Sequence, residues 1–199
     1  MKIIVIIAGL VVLAGCSDAM DANKTNFENV LNKTLAEDPV CFGISILGDN
    51  MSKFPVTYSK RALAYAHNTK NLNQFIKTGL VSSETVTLEA KTHWGGSQTG
   101  TKYDLTEMGK KYFVEDSYLS RFCYGNKVLN EIIEYTEPAE TGGVKVSTVK
   151  YSYIVEDIPD WAKNDYLKNI VKEALNSRDE PIKDETVLYL TNKGWSTDN

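Results

Sequence analysis

The residues able to do chemistry are few and scattered. Three cysteines stand at Cys16, Cys41 and Cys123, and two histidines at His67 and His93, 26 positions apart. A structural or catalytic metal site needs three or four ligands at structured spacing, which these do not supply. Cys123 lies in an aromatic run, Arg121-Phe122-Cys123-Tyr124-Gly125, with neither histidine near in sequence to activate its thiol. Acids at Asp104, Glu107, Glu115, Asp116, Glu131 and Glu134 could hide a glycosidase pair, although acids this frequent usually sit in solvent. The glycine-rich stretch Trp94-Gly-Gly-Ser-Gln-Thr-Gly100 lacks the lysine of a phosphate loop, and no Gly-x-Ser-x-Gly elbow is present. No catalytic residue, metal ligand or cofactor site is assigned. The expectation leans away from an enzyme.

The amino terminus carries the clearest signal. Lys2 is followed by an apolar run, Ile3 to Leu13, then Ala14-Gly15-Cys16. A positive start, a short apolar region and small residues before a cleavage point describe an export signal over residues 1–15. The run is about half of the ~20 residues needed to span a bilayer. The stretch Leu13-Ala14-Gly15-Cys16 resembles the lipobox of bacterial lipoprotein precursors. The resemblance implies that the Cys16 thiol receives a diacylglycerol, that the chain is cut before it, and that the new amino group is acylated. Ser17, rather than Asp, follows the cysteine, which in enteric relatives of that class implies sorting to the outer membrane, facing the periplasm. The only membrane contact then expected is the lipid. With Cys16 acylated, Cys41 and Cys123 are left as a pair in an oxidising compartment, which favours a disulfide between them; two separate buried thiols are the alternative.

The mature chain would hold 184 residues (199 − 15), one domain's worth. Losing Lys2 leaves 21 basic against 26 acidic residues, a formal charge of −5. With no basic stripe, nucleic acid and anionic headgroups are poor partners. Residues 16–23 comprise the acylated cysteine and a short flexible tether without large aliphatic or aromatic side chains, and residues 24–199 the globular domain.

The elements that must position these residues follow from periodicity. Thr25 and Glu28 have capping-box spacing, and Phe27, Val30, Leu31, Thr34 and Leu35 share one helical face. Val40 to Leu47 reads as a strand, Gly48-Asp49-Asn50 as a turn, and Arg61 to Thr78 as helix in two pieces broken near His67-Asn68, with Gly79 as the C-cap. Strands are expected over Glu84–Ala90 and Lys102–Leu105. Val128–Tyr135 and Val144–Val155 should pair as an antiparallel hairpin around a loop at Pro138–Gly143, with a bulge between Val146 and Val149 where the apolar parity changes. Leu167, Ile170, Val171, Ala174 and Leu175 give an amphipathic helix led by Trp161, and Thr186–Leu190 a last strand. The class is α+β: a single domain of helices on a mostly antiparallel sheet. Leu105-Thr-Glu-Met-Gly109 and Leu190-Thr-Asn-Lys-Gly194 share a Leu-Thr-x-x-Gly pattern, read as a strand-end turn used twice.

Residues 72–113 also resemble part of a winged-helix domain: a helix ending in Gly79-Leu80-Val81, a two-stranded wing, and a helix opened by Leu105-Thr-x-x-Gly109. The family's DNA contacts do not carry over, since the helix offers only Lys70 and Lys77. Eleven tyrosines, many between Tyr103 and Tyr153, raise a further expectation, a sheet face that binds peptide or glycan, against the alternative of strand packing. The functional expectation is a lipid-anchored, noncatalytic binding or adaptor module with an envelope protein or glycan as partner. An envelope hydrolase is the alternative, and a winged-helix nucleic-acid binder a distant third. A deep pocket holding titratable groups would favour the enzyme, a flat tyrosine-rich patch the binder.

Overall fold

A computed structural model describes residues 18–43, 53–65, 69–89, 96–115 and 120–198. The expected turn at Gly48–Asn50, Trp94 and Gly95 of the glycine-rich stretch, Cys16, both histidines and Asp116 lie outside them.

The chain is α+β, as expected. Helix α1 (Lys24–Glu37) leads into β1 (Val40–Gly43). A small unit follows: β2 (Val56–Ser59), α2 (Lys60–Tyr65), α3 (Thr69–Lys77), β3 (Val81–Leu88), β4 (Gln98–Leu105) and α4 (Glu107–Tyr112). The remainder is dominated by strands: β5 (Phe113–Val114), β6 (Arg121–Tyr135), β7 (Ala139–Thr141), β8 (Val144–Glu156), β9 (Ile182–Thr191) and β10 (Gly194–Ser196), with the short helix α5 (Lys172–Asn176) before β9. Strands β1-β6-β8-β9-β10 form one antiparallel sheet, to which β5 adds beside β6 and β7 beside β8; β2-β4-β3 form a second.

Two cores result. Phe27, Leu31 and Leu35 of α1, at i, i+4 and i+8, bury against Ile132, Val149, Tyr151, Leu188 and Trp195 of the large sheet. Burying side chains of this size stabilises by about 1.5–3 kcal/mol each. The other core gathers Leu72, Phe75, Leu80 and Val81 of the small unit against Phe122, Tyr124 and Val155, and Trp161, Leu167, Val171 and Ala174 close it.

Several boundaries differ from the sequence expectation. The α1 cap is Asn23, whose side chain accepts from Asn26 N at 2.9 Å; Thr25 and Glu28 form no capping box, and Glu28 faces Lys24 instead. Strands β3, β4, β6 and β9 are longer than expected, and the Pro138–Gly143 stretch contains β7. β8 runs in unbroken register with β9, from Val146 opposite Tyr189 to Tyr153 opposite Ile182, so there is no bulge in β8. The irregularities lie across the hairpin on β6, at Leu129/Glu131 and Ile132/Glu134. The parity change arises because Val149, Tyr151 and Val155 face the core while Val146 and Ile154 take the other face. The helix expected after Trp161 is a run of single turns, with α-helix only at Lys172–Asn176. Leu167, Val171 and Ala174 are buried, but Ile170 is 46 % exposed.

The winged-helix resemblance is matched in element order: α3, the β3–β4 hairpin and α4 follow one another. Two hydrogen bonds, Gly79 N to Ile76 O and Leu80 N to Phe75 O, close α3, with Gly79 at φ +77°. Thr106 caps α4 by accepting from Gly109 N at 2.9 Å. The second Leu-Thr-x-x-Gly pattern serves a hairpin, in which the Thr191 hydroxyl donates to Gly194 O at 2.7 Å.

Candidate functional site

The two cysteines expected to pair do so. Cys41 of β1 lies directly opposite Cys123 of β6, and their sulfurs are bonded at 2.09 Å. Strand alternation decides which way Cys123 points. Phe122 and Tyr124 on either side of it are buried in the core, so Cys123 takes the other face and meets Cys41 there. The bond closes a separation of 82 residues and ties the strand after α1 to the longest strand of the sheet. Beside it an open depression of about 320 Å³ is lined by Pro39, Tyr112, Val114, Cys123, Asn126 and Asp157.

Among the described residues these acids do not gather into one cluster. Asp104 lies near Lys102, Glu107 pairs with Lys110, Glu115 with Lys53 and Glu134 with Lys150. Lys110 beside Glu107 holds that carboxyl below the usual range, the effect of one exposed ion pair. Among the described residues no three His, Cys, Asp or Glu side chains gather to hold a metal ion. A second depression, of about 310 Å³, includes Asp157 and Lys163 and is bordered by the Glu156–Arg178 ion pair.

Among the described residues the tyrosines do not form a flat binding face. Tyr103, Tyr124 and Tyr151 are buried, Tyr112 and Tyr153 half-buried, and Tyr135 is exposed. Burial pushes the hydroxyl pKa of Tyr103, Tyr124, Tyr151 and Tyr153 upward, most strongly for Tyr151, whose hydroxyl donates to Asp184 Oδ2 at 3.2 Å. Packing is their main role. On α3, Leu72 and Phe75 point into the core, and Lys77 Nζ lies 4.3 Å from the Tyr166 ring centroid of the same chain.

Within the stretch expected to be a flexible tether, residues 18–21 are tied down by hydrogen bonds. Asp21 N donates to Asp18 O at 2.9 Å and Met20 N to Asp18 Oδ1 at 3.0 Å, which makes residues 18–21 a closed turn. Asn26 Nδ2 donates to the carbonyls of both Asp18 and Asp21, and Trp195 Nε1 reaches Asp21 O at 3.1 Å. Ala19 lies over Gly194, where an added Cβ would stand 3.0 Å from Ala19 O. The turn is thereby held to α1 and to β10. Sequence reasoning missed it because its partners are backbone carbonyls and a tryptophan 174 positions away.

Comparison with protein-family models, with curated proteins and with solved structures gives no match for this chain.

Proposed function

We propose that this chain is a lipid-anchored protein of the bacterial cell envelope, acylated on Cys16 and facing the periplasm from the outer membrane, and that its domain is a noncatalytic binding or adaptor module. The observation that carries the reading is the order Lys2, apolar run, Leu13-Ala14-Gly15-Cys16, placed two residues before the hydrogen-bonded turn at Asp18–Asp21. The Cys41–Cys123 disulfide supports it, since such bonds persist in exported proteins. Among the described residues no helix is long and apolar enough to cross a membrane. The noncatalytic part is supported by acids held in separate surface ion pairs. The engagement of Lys77 with Tyr166 supports a role apart from nucleic acid.

The test is metabolic labelling with an alkyne fatty acid. Wild type is expected to be labelled and Cys16→Ser unlabelled; equal labelling would sink the anchor. Density-gradient fractionation should place the labelled protein with the outer membrane, and recovery in the inner membrane would refute the sorting.

A further inference from the structure

We propose that the anchored domain does not swing on its lipid but rests on the bilayer through one face: the Asp18–Asp21 turn, the amino end of α1, and the β9–β10 turn at Asn192-Lys193. The partner is the phospholipid headgroup layer. The inference rests on the lipid-anchor reading of Cys16 and extends it from attachment to orientation.

Chain length carries the argument. Cys16 is two residues from Asp18, so their Cα atoms lie at most about 7 Å apart even with the chain fully extended. The headgroup region on each side of a bilayer is itself roughly 5–8 Å thick. An acylated Cys16 therefore brings Asp18 to headgroup level. Asp18 is no loose end: its turn is bonded to Asn26 of α1 and, through Asp21, to Trp195 of β10. Whatever surrounds that turn must face the bilayer with it. Met20 stands in the turn, 41 % exposed, an apolar side chain suited to the boundary between headgroups and acyl chains. Lys24 opens α1 nearby, and Lys193 is exposed next to Gly194, the residue that underlies Ala19. Lys24 and Lys193 are matched by Asp18 and Asp21 in the same face, which leaves no net attraction to anionic lipid. Proximity imposed by the anchor, rather than surface charge, holds the face down.

The test uses the full lipidated protein in phosphatidylcholine vesicles, with a fluorophore attached at Met20→Cys or, separately, at Lys193→Cys. Quenching by a lipid spin-labelled in its headgroup reports contact. The comparison is the same protein with about 12 Gly/Ser residues inserted between Ser17 and Asp18, a linker whose r.m.s. span of about 20 Å exceeds the headgroup layer. Quenching at both positions is expected to be several-fold stronger in the native spacing, and unchanged when phosphatidylglycerol replaces part of the phosphatidylcholine. Equal quenching in native and lengthened proteins would overturn the docked face, while intact-mass detection of the acyl chains would leave the anchor standing. Quenching that depends on phosphatidylglycerol would also overturn it, in favour of charge-driven binding. A mass without acyl chains on Cys16 would overturn anchor and face together.

Discussion

Gly109→Ala should destabilise the protein, although local propensity says the opposite. Alanine in a helix is worth up to about 1 kcal/mol over glycine. Gly109, however, lies in α4 against the turn that ends α3, and a Cβ built there would stand 2.0 Å from the main-chain oxygen of Leu80 and 3.0 Å from its carbonyl carbon. Reaching even 3.0 Å from that oxygen requires a shift of 1.0 Å (3.0 − 2.0) between two backbone segments. The same seam holds Thr106 N to Leu80 O at 3.1 Å and the Thr106 hydroxyl to Gly79 O at 2.6 Å. A shift of that size takes both past hydrogen-bonding distance. Overpacking costs about 1–3 kcal/mol, and two lost hydrogen bonds add about 2 kcal/mol. Less the propensity gain, the net loss is about 2–4 kcal/mol. With an m-value near 2 kcal/mol/M, the urea midpoint should fall by roughly 1–2 M. Lys111→Ala, on the exposed side of the same helix, should stay within about 0.5 kcal/mol of wild type. A midpoint for Gly109→Ala equal to or above wild type would refute the reasoning. Truncating the Leu80 side chain should not rescue the variant, because the obstacle is its main-chain oxygen.

The remaining expectations follow from the other contacts. Cys41→Ala/Cys123→Ala removes a link across 82 residues, for which chain entropy gives about 4.5 kcal/mol as an upper figure. Its urea midpoint should drop accordingly, and the wild-type thiols should resist alkylation until reduced. Asn23→Ala removes the α1 cap and should cost about 1 kcal/mol, read in the same titration. Ser177→Ala should cost about 1–3 kcal/mol, because the fully buried hydroxyl donates to Ala174 O and accepts from Val155 N, which would be left unpaired. Tyr151 has a folded-state pKa raised above the ordinary tyrosine value near 10, so its contribution is intact below pH about 10 and is lost as pH rises above it. Tyr151→Phe should therefore flatten the decline in stability between about pH 9.5 and 11; an unchanged slope would show that burial of this hydroxyl does not govern it.

Much of the fold was legible because much of it is local. The α1 face, the broken helix before Gly79 and the β6–β8 hairpin all follow from side chains within one or two turns or along one strand. The Cys41–Cys123 pairing followed from compartment and arithmetic, and the structure forms it. The α1 cap was misplaced because Asn23 and Thr25 are both competent caps, and only the position at which the backbone leaves the extended region, φ −142° and ψ 162° at Asn23, distinguishes them. The bulges went to the wrong strand because a change of parity has the same signature whether a strand bulges or carries apolar residues on both faces.

The sequence by itself determined the α+β class and the elements' approximate order, and the expectation of an anchor at Cys16 rests on it alone. Those features depend on neighbours along the chain. The tertiary structure decided which faces are covered: that Tyr103, Tyr124 and Tyr151 are core rather than surface, that Ile170 is exposed despite its helical spacing, and that the Asp18–Asp21 turn is ordered. Each of these is set by partners far away in sequence. Asp184 reaches Tyr151 across 33 positions and Trp195 reaches Asp21 across 174, and neither contact leaves a periodic trace in the residues it orders.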